Sequence, residues 1–95
     1  DEDLPKIVAK GTGFESDGKL ELDYVNETIG AELVSEEFDT IGGYVFGLMG
    51  RQPQVGESVF GGGFKFTVLE TDGKRITRIN IEARSEDSAD AEVVR

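Results

Sequence analysis

Glycine loops and carboxylate clusters are the residue patterns in this sequence with the chemistry to hold a ligand. Glycines concentrate at Gly11-Thr12-Gly13, at Gly47-Leu48-Met49-Gly50-Arg51 and at Gly61-Gly62-Gly63. A phosphate cradle needs such a loop to open a helix, where free backbone N–H groups and the helix dipole face the anion. The Gly61 run instead leads into a strand pattern. Gly11-Thr12-Gly13 lacks the third glycine and the following helix of a dinucleotide loop, and Gly47 to Arg51 lacks the Lys-Ser/Thr ending of a Walker loop. Turns and a helix cap account for all three.

Carboxylates gather at Glu36, Glu37 and Asp39, and again at Glu86, Asp87, Asp90 and Glu92. Their oxygens suit Mg²⁺ and Ca²⁺, but neither group has the spacing of an EF-hand loop. Among 20 acids, no pair is marked by a cleft for acid–base work. The sequence contains no Cys and no His. Zinc fingers, thiol nucleophiles and a Ser-His-Asp triad are thereby excluded. No catalytic, cofactor-binding or metal-ligating residue is assigned on these grounds, and no cofactor is expected.

Twenty acids against ten bases leave a net charge of −10. Such a surface repels phosphate backbones, so nucleic acid is not an expected partner. It also repels anionic lipid, and no apolar run approaches the roughly 20 residues needed to cross a bilayer. No secretory leader is visible. The chain opens at Asp1 without Met, as a mature fragment or an excised piece of a longer protein would. With 95 residues it has room for one domain and one modest core.

The elements that would position these residues can be read from periodicity. Residues 1–5 read as a linker remnant. Ile7 and Val8 suggest a short strand. Gly11, Gly13 and Asp17-Gly18 punctuate the next stretch, with Gly18 free to take a positive φ. Leu22, Val25 and Ile29 fall on one helical stripe, closed by Gly30; Asp23, Asn26 and Glu27 would face water. Residues 31–38 form a connector with Leu33 and Phe38 buried. Asp39 is the expected N-cap of a second helix, whose stripe is Ile41, Val45, Leu48 and Met49. Gly50 caps its end and Pro53 prevents continuation. Gly43 and Gly47, one turn apart, suggest close backbone approach on that face.

The remainder reads as β. Ser58 to Phe60 is a short strand and Gly61 to Gly63 a turn. Phe64, Phe66 and Val68 alternate with Lys65 and Thr67. Asp72-Gly73 is a hairpin signal. Ile76, Ile79 and Ile81 return, with a phase change near Thr77 that allows a bulge. Residues 84–95 read as a disordered acidic tail. The order predicts an α+β fold, with two short helices on a mostly antiparallel sheet of about four strands.

Phe38-Asp39-Thr40-Ile41-Gly42-Gly43, then Gly50-Arg51-Gln52-Pro53 and Val55-Gly56-Glu57, resembles the transporter-associated domain of the CorC/HlyC family. Gly63 to Glu70 and Asp72-Gly73-Lys74-Arg75-Ile76 continue the likeness, and Asp17-Gly18 with Leu22-Asp23 and Asn26 precedes it. The likeness covers residues 6–83. It implies the C-terminal domain of a hemolysin-related or magnesium and cobalt efflux protein, with a membrane region and a paired CBS module in the same chain. It also implies a fold similar to part of FAD-binding oxidase domains.

By that likeness Asp17, Gly18, Asp39, Thr40, Gly43, Gly50, Arg51, Pro53, Gly56, Asp72 and Gly73 are structural motif positions, none of them catalytic. The expected role is a non-enzymatic regulatory one at the cytoplasmic face of the membrane. It would modulate ion transport through contacts with the parent's CBS pair and membrane region, or with a second copy. Two alternatives remain: a flavin or adenine-nucleotide module, and a weakly cation-sensing acidic surface.

Overall fold

The computed structural model describes residues 6–83; the expectations for 1–5 and 84–95 lie outside them. The chain forms β1 (Ile7–Lys10), β2 (Gly13–Asp17), α1 (Leu22–Ile29), α2 (Ile41–Met49), β3 (Ser58–Gly61), β4 (Phe64–Asp72) and β5 (Arg75–Ala83). The strands make one sheet in the order β1-β2-β5-β4-β3, and every pairing is antiparallel.

The sheet therefore has five strands, one more than the sequence pattern suggested. The additional strand is β2. Its residues Gly-Phe-Glu-Ser-Asp carry a single apolar side chain, so alternation gives no signal there. Ser16, fully buried, takes an inward position, and its hydroxyl donates to the Asp17 carbonyl at 3.0 Å. Gly11 and Thr12 form the hairpin loop between β1 and β2, with Gly11 at φ 61.

Neither helix is long enough to stand alone in water. Each is held by one apolar stripe. Leu22 and Val25 of α1 are buried, as are Ile41 and Val45 of α2. They pack over Phe66, Val68, Ile76, Ile79 and Ile81 on the inner face of β4 and β5. Each fully buried aliphatic side chain contributes on the order of 1.5–3 kcal/mol. Leu48, expected in this stripe, is instead 38% exposed. It sits at the last turn of α2, past the inner-face side chains, with its tip against Gly61.

The two helix starts secure each other. Leu22 N–H donates to the Asp39 carbonyl and Ile41 N–H to the Leu20 carbonyl, each at 2.8 Å. This bridge pairs Glu21 with Thr40. The N-cap of α2 is Thr40, not Asp39: the Thr40 hydroxyl accepts from Gly43 N–H at 3.1 Å. Asp39 serves through its carbonyl while its side chain stays exposed. Both helices end on a left-handed glycine, Gly30 and Gly50, as periodicity indicated.

Asn26 does not face water as expected. Its side-chain amide donates to the Leu33 carbonyl and accepts from Leu33 N–H, both at 2.9 Å. That two-way bond ties the 31–38 connector to α1 and buries Leu33.

The β4–β5 hairpin turns at Gly73 and Lys74, since Asp72 pairs with Arg75. Register slips on both strands: Leu69 is unpaired on β4 and Thr77 on β5, between the pairs Val68–Ile79 and Thr71–Ile76. The phase change seen in the sequence near Thr77 is this irregularity.

Candidate interaction groove

Where α2 begins, the chain brings together the turn after β2, the Phe38 end of the connector and the β4–β5 hairpin. Between them lies an open groove of about 890 Å³. Its apolar side is Phe38 and Phe46, whose rings meet edge to face at 6.1 Å. The hairpin wall carries Glu70, Asp72, Lys74, Arg75 and Arg78, and the end of β2 with the turn after it adds Asp17 and Lys19.

Glycines fix this geometry by close approach. Gly18 is not in the left-handed region its Asp-Gly context suggested. It is glycine because a Cβ there would run into the Ile76 carbonyl oxygen. Its N–H donates to the Thr77 carbonyl at 2.9 Å. Gly42 lies over Ile76 and Gly18, where a Cβ would come within 2.8 Å and 2.9 Å of their carbonyl oxygens. Gly43 and Gly47 make the face on which the Phe38 ring lies; added Cβ atoms would stand 2.7 Å and 2.8 Å from ring carbons. The close approach predicted for Gly43 and Gly47 is thus to an aromatic ring of the same chain.

The ion pairs beside the groove run across the outer face of the sheet. Arg78 meets Glu15 at 2.6 Å and Asp17 at 3.3 Å, and Lys10 meets Glu15 at 3.0 Å. Asp17 also accepts from the Lys6 N–H at 2.9 Å. The Lys10 bond, then the Arg78 bond, hold the Glu15 carboxyl below its ordinary range. The bond that Arg78 donates to Glu15 raises the guanidinium in turn. Lys19, Lys74 and Arg75 make no ion pair among the described residues.

The start of α2 is not an open anion cradle. Ile41 N–H is taken by Leu20, Gly42 N–H by the Gly18 carbonyl at 2.9 Å, and Gly43 N–H by Thr40. A phosphate group would find these amides already bonded. Among the described residues no three acidic side chains converge in a way that would hold a metal ion. Glu36 and Glu37 are on the connector, and Asp39 borders a separate hollow beside α1.

Of the motif positions named from sequence, Asp17, Gly18, Thr40, Gly43 and Asp72 converge on the groove. Gly73, at φ 66, lies in the hairpin loop between Asp72 and Lys74. Asp39 precedes α2, and Gly50, Arg51, Pro53 and Gly56 build the exit from it. Arg51 binds Glu57 through two nitrogens, one of them at 2.9 Å, and Glu57 also accepts from Gln54 N–H. Pro53 is buried, and Gly56, at φ 95, donates to the Val68 carbonyl at 2.8 Å. Sequence reasoning gave no weight to Glu15, Lys19 or Arg78. Only the outward register of Arg78, opposite Asp17 and diagonal to Glu15, would have marked Glu15 and Arg78, and that register required β2.

Two helices on one face of an open antiparallel sheet, with an unsealed groove at the start of α2, define a small two-layer α+β domain. The chain belongs to the CorC/HlyC transporter associated domain family, whose model matches residues 7–85. Hemolysin C of Brachyspira hyodysenteriae is 31% identical over 90 residues, spanning 93% of this chain and 34% of that protein. The magnesium and cobalt efflux protein CorC of Escherichia coli K12 is 37% identical over 57 residues, 60% of this chain and 20% of that one. Among solved structures, a region associated with a putative Mg²⁺ and Co²⁺ transporter (CorC) of Neisseria meningitidis MC58 superposes with a TM-score of 0.75. It is 35% identical, covering 81% of this chain and 96% of its own. The chain spans about a third or less of the length of these curated relatives.

Proposed function

We propose that this chain is a non-catalytic regulatory domain, with its folded unit at residues 6–83, of a larger membrane ion-transport protein. It works at the cytoplasmic face by docking on the other parts of its parent, the CBS pair and the membrane region. The observation that supports this reading most is proportion: the whole fold corresponds to 34% of one relative and 20% of another. Those relatives are a hemolysin and a magnesium and cobalt efflux protein. No helix among the described residues is long and apolar enough to cross a membrane, so the ion path is assigned to the rest of the parent.

Docking regulates only if the domain contacts two states of the transporter differently, which shifts their populations. Ion flux through the full-length parent, reconstituted in vesicles with and without this domain, tests the reading. Removal is expected to change the flux or its response to intracellular signals while leaving the parent inserted. Identical flux and identical regulation in both forms would end it.

A further inference from the structure

The groove beside α2 departs from the charge of the rest of the molecule. The chain carries −10 overall, yet four of its ten bases, Lys19, Lys74, Arg75 and Arg78, line one opening beside three acids, Asp17, Glu70 and Asp72. Arg78 is spent on Glu15 and Asp17, with Glu70 adding to the field around it. Lys19, Lys74 and Arg75 are exposed and make no ion pair among the described residues. Asp72 faces Arg75 in register across the hairpin without closing an ion pair.

On this rim three cations without an ion pair among the described residues outnumber the two exposed acids Glu70 and Asp72, and they stand over the half-buried Phe38 and Phe46; that matches a ligand with carboxylates outside and an apolar anchor inside. We propose that this groove docks an acidic peptide segment of a partner domain, with one apolar side chain seated on the Phe38–Phe46 pair. Lys19, Lys74 and Arg75 then face the flanking carboxylates. This rests on the docking role argued above and names the surface and its partner's chemistry. A small phosphate ligand fits less well. The α2 amides are already bonded, and the cations stand on exposed side chains rather than converging in a buried cradle. Rim charges of this kind steer association and select partners more than they add affinity.

The test is a random peptide library displayed on phage and selected on the immobilised chain. The enriched peptides are then measured by fluorescence anisotropy against the native chain and against Lys19→Glu/Lys74→Glu/Arg75→Glu. All three side chains are exposed, and a thermal melt checks that the variant folds. The expected peptides carry Asp and Glu around one aromatic or aliphatic residue. Their binding should weaken at least about tenfold in the triple variant. It should also weaken between about 0.15 M and about 0.5 M NaCl, as exposed charge pairs are screened. No enrichment, peptides without acidic residues, or equal binding to the variant would overturn the proposal. If removal of the domain alters flux while the groove binds no acidic peptide, the docking role stands and this surface is wrong.

Discussion

At the residue scale, two positions carry consequences larger than their exposure suggests. Thr40, not its acidic neighbour, satisfies a backbone donor at the start of α2. Thr40→Ala should cost about 1 kcal/mol in urea unfolding. Asp39→Ala should cost much less, because its carbonyl, which substitution leaves in place, makes the bond to Leu22. Equal losses would return the cap to Asp39. Gly18 is the second case. Gly18→Ala must push the Ile76 backbone away, and a loss of about 2 kcal/mol or more is expected, seen as a lowered melting temperature.

Glu15 couples the outer face to pH. Lys10 first, and Arg78 second, hold its carboxyl below the ordinary value of 4.5. The folded chain therefore binds that proton less readily than the unfolded chain. The resulting stability is complete above the unfolded pKa and fades as pH falls through the folded one. Unfolding measured from about pH 7 to about pH 3 should show this loss on the acid side, and Glu15→Gln should flatten it. An unchanged acid limb in the variant would contradict the assigned ion pairs.

At the scale of elements, the connector before α2 behaves as part of α1. Asn26 grips Leu33 through both backbone groups. Asn26→Ala strands a donor and an acceptor at a buried position, an expected cost of about 2 kcal/mol. Amide exchange should then quicken at Leu33 before it quickens in β4 or β5. Uniform quickening would mean the connector is no separate unit.

Both helices, their glycine caps and β3 to β5 were legible because each had a period or a turn residue that only one conformation satisfies. β2 was not. Its buried Ser16 and its Glu15 and Asp17 give no apolar alternation, and its place between β1 and β5 is a long-range pairing that local pattern does not encode. The groove was half legible for the same reason. Asp17, Gly18, Thr40, Gly43 and Asp72 stood out as motif positions, but their convergence depends on β2 lying beside β5. Asn26 and Leu48 were misjudged because a helical stripe assigns faces without knowing what lies beyond the helix ends. The same ignorance gave the Asp39 carboxylate a capping role that the adjacent hydroxyl fills.

At the scale of the whole molecule, charge and architecture point the same way. A sheet covered on one face by short helices leaves its other face and one groove open. Ten surplus negative charges favour solubility and keep the domain away from phosphate and anionic lipid. Contact with protein is the role proposed for it. The most direct measurement is hydrogen exchange at backbone amides, compared between this chain alone and the same chain within its full-length parent. Protection is expected to rise around Lys19, from Phe38 to Gly43 and from Lys74 to Thr77, with the buried strands unchanged. Identical exchange in the two settings would contradict a domain that acts by leaning on its neighbours.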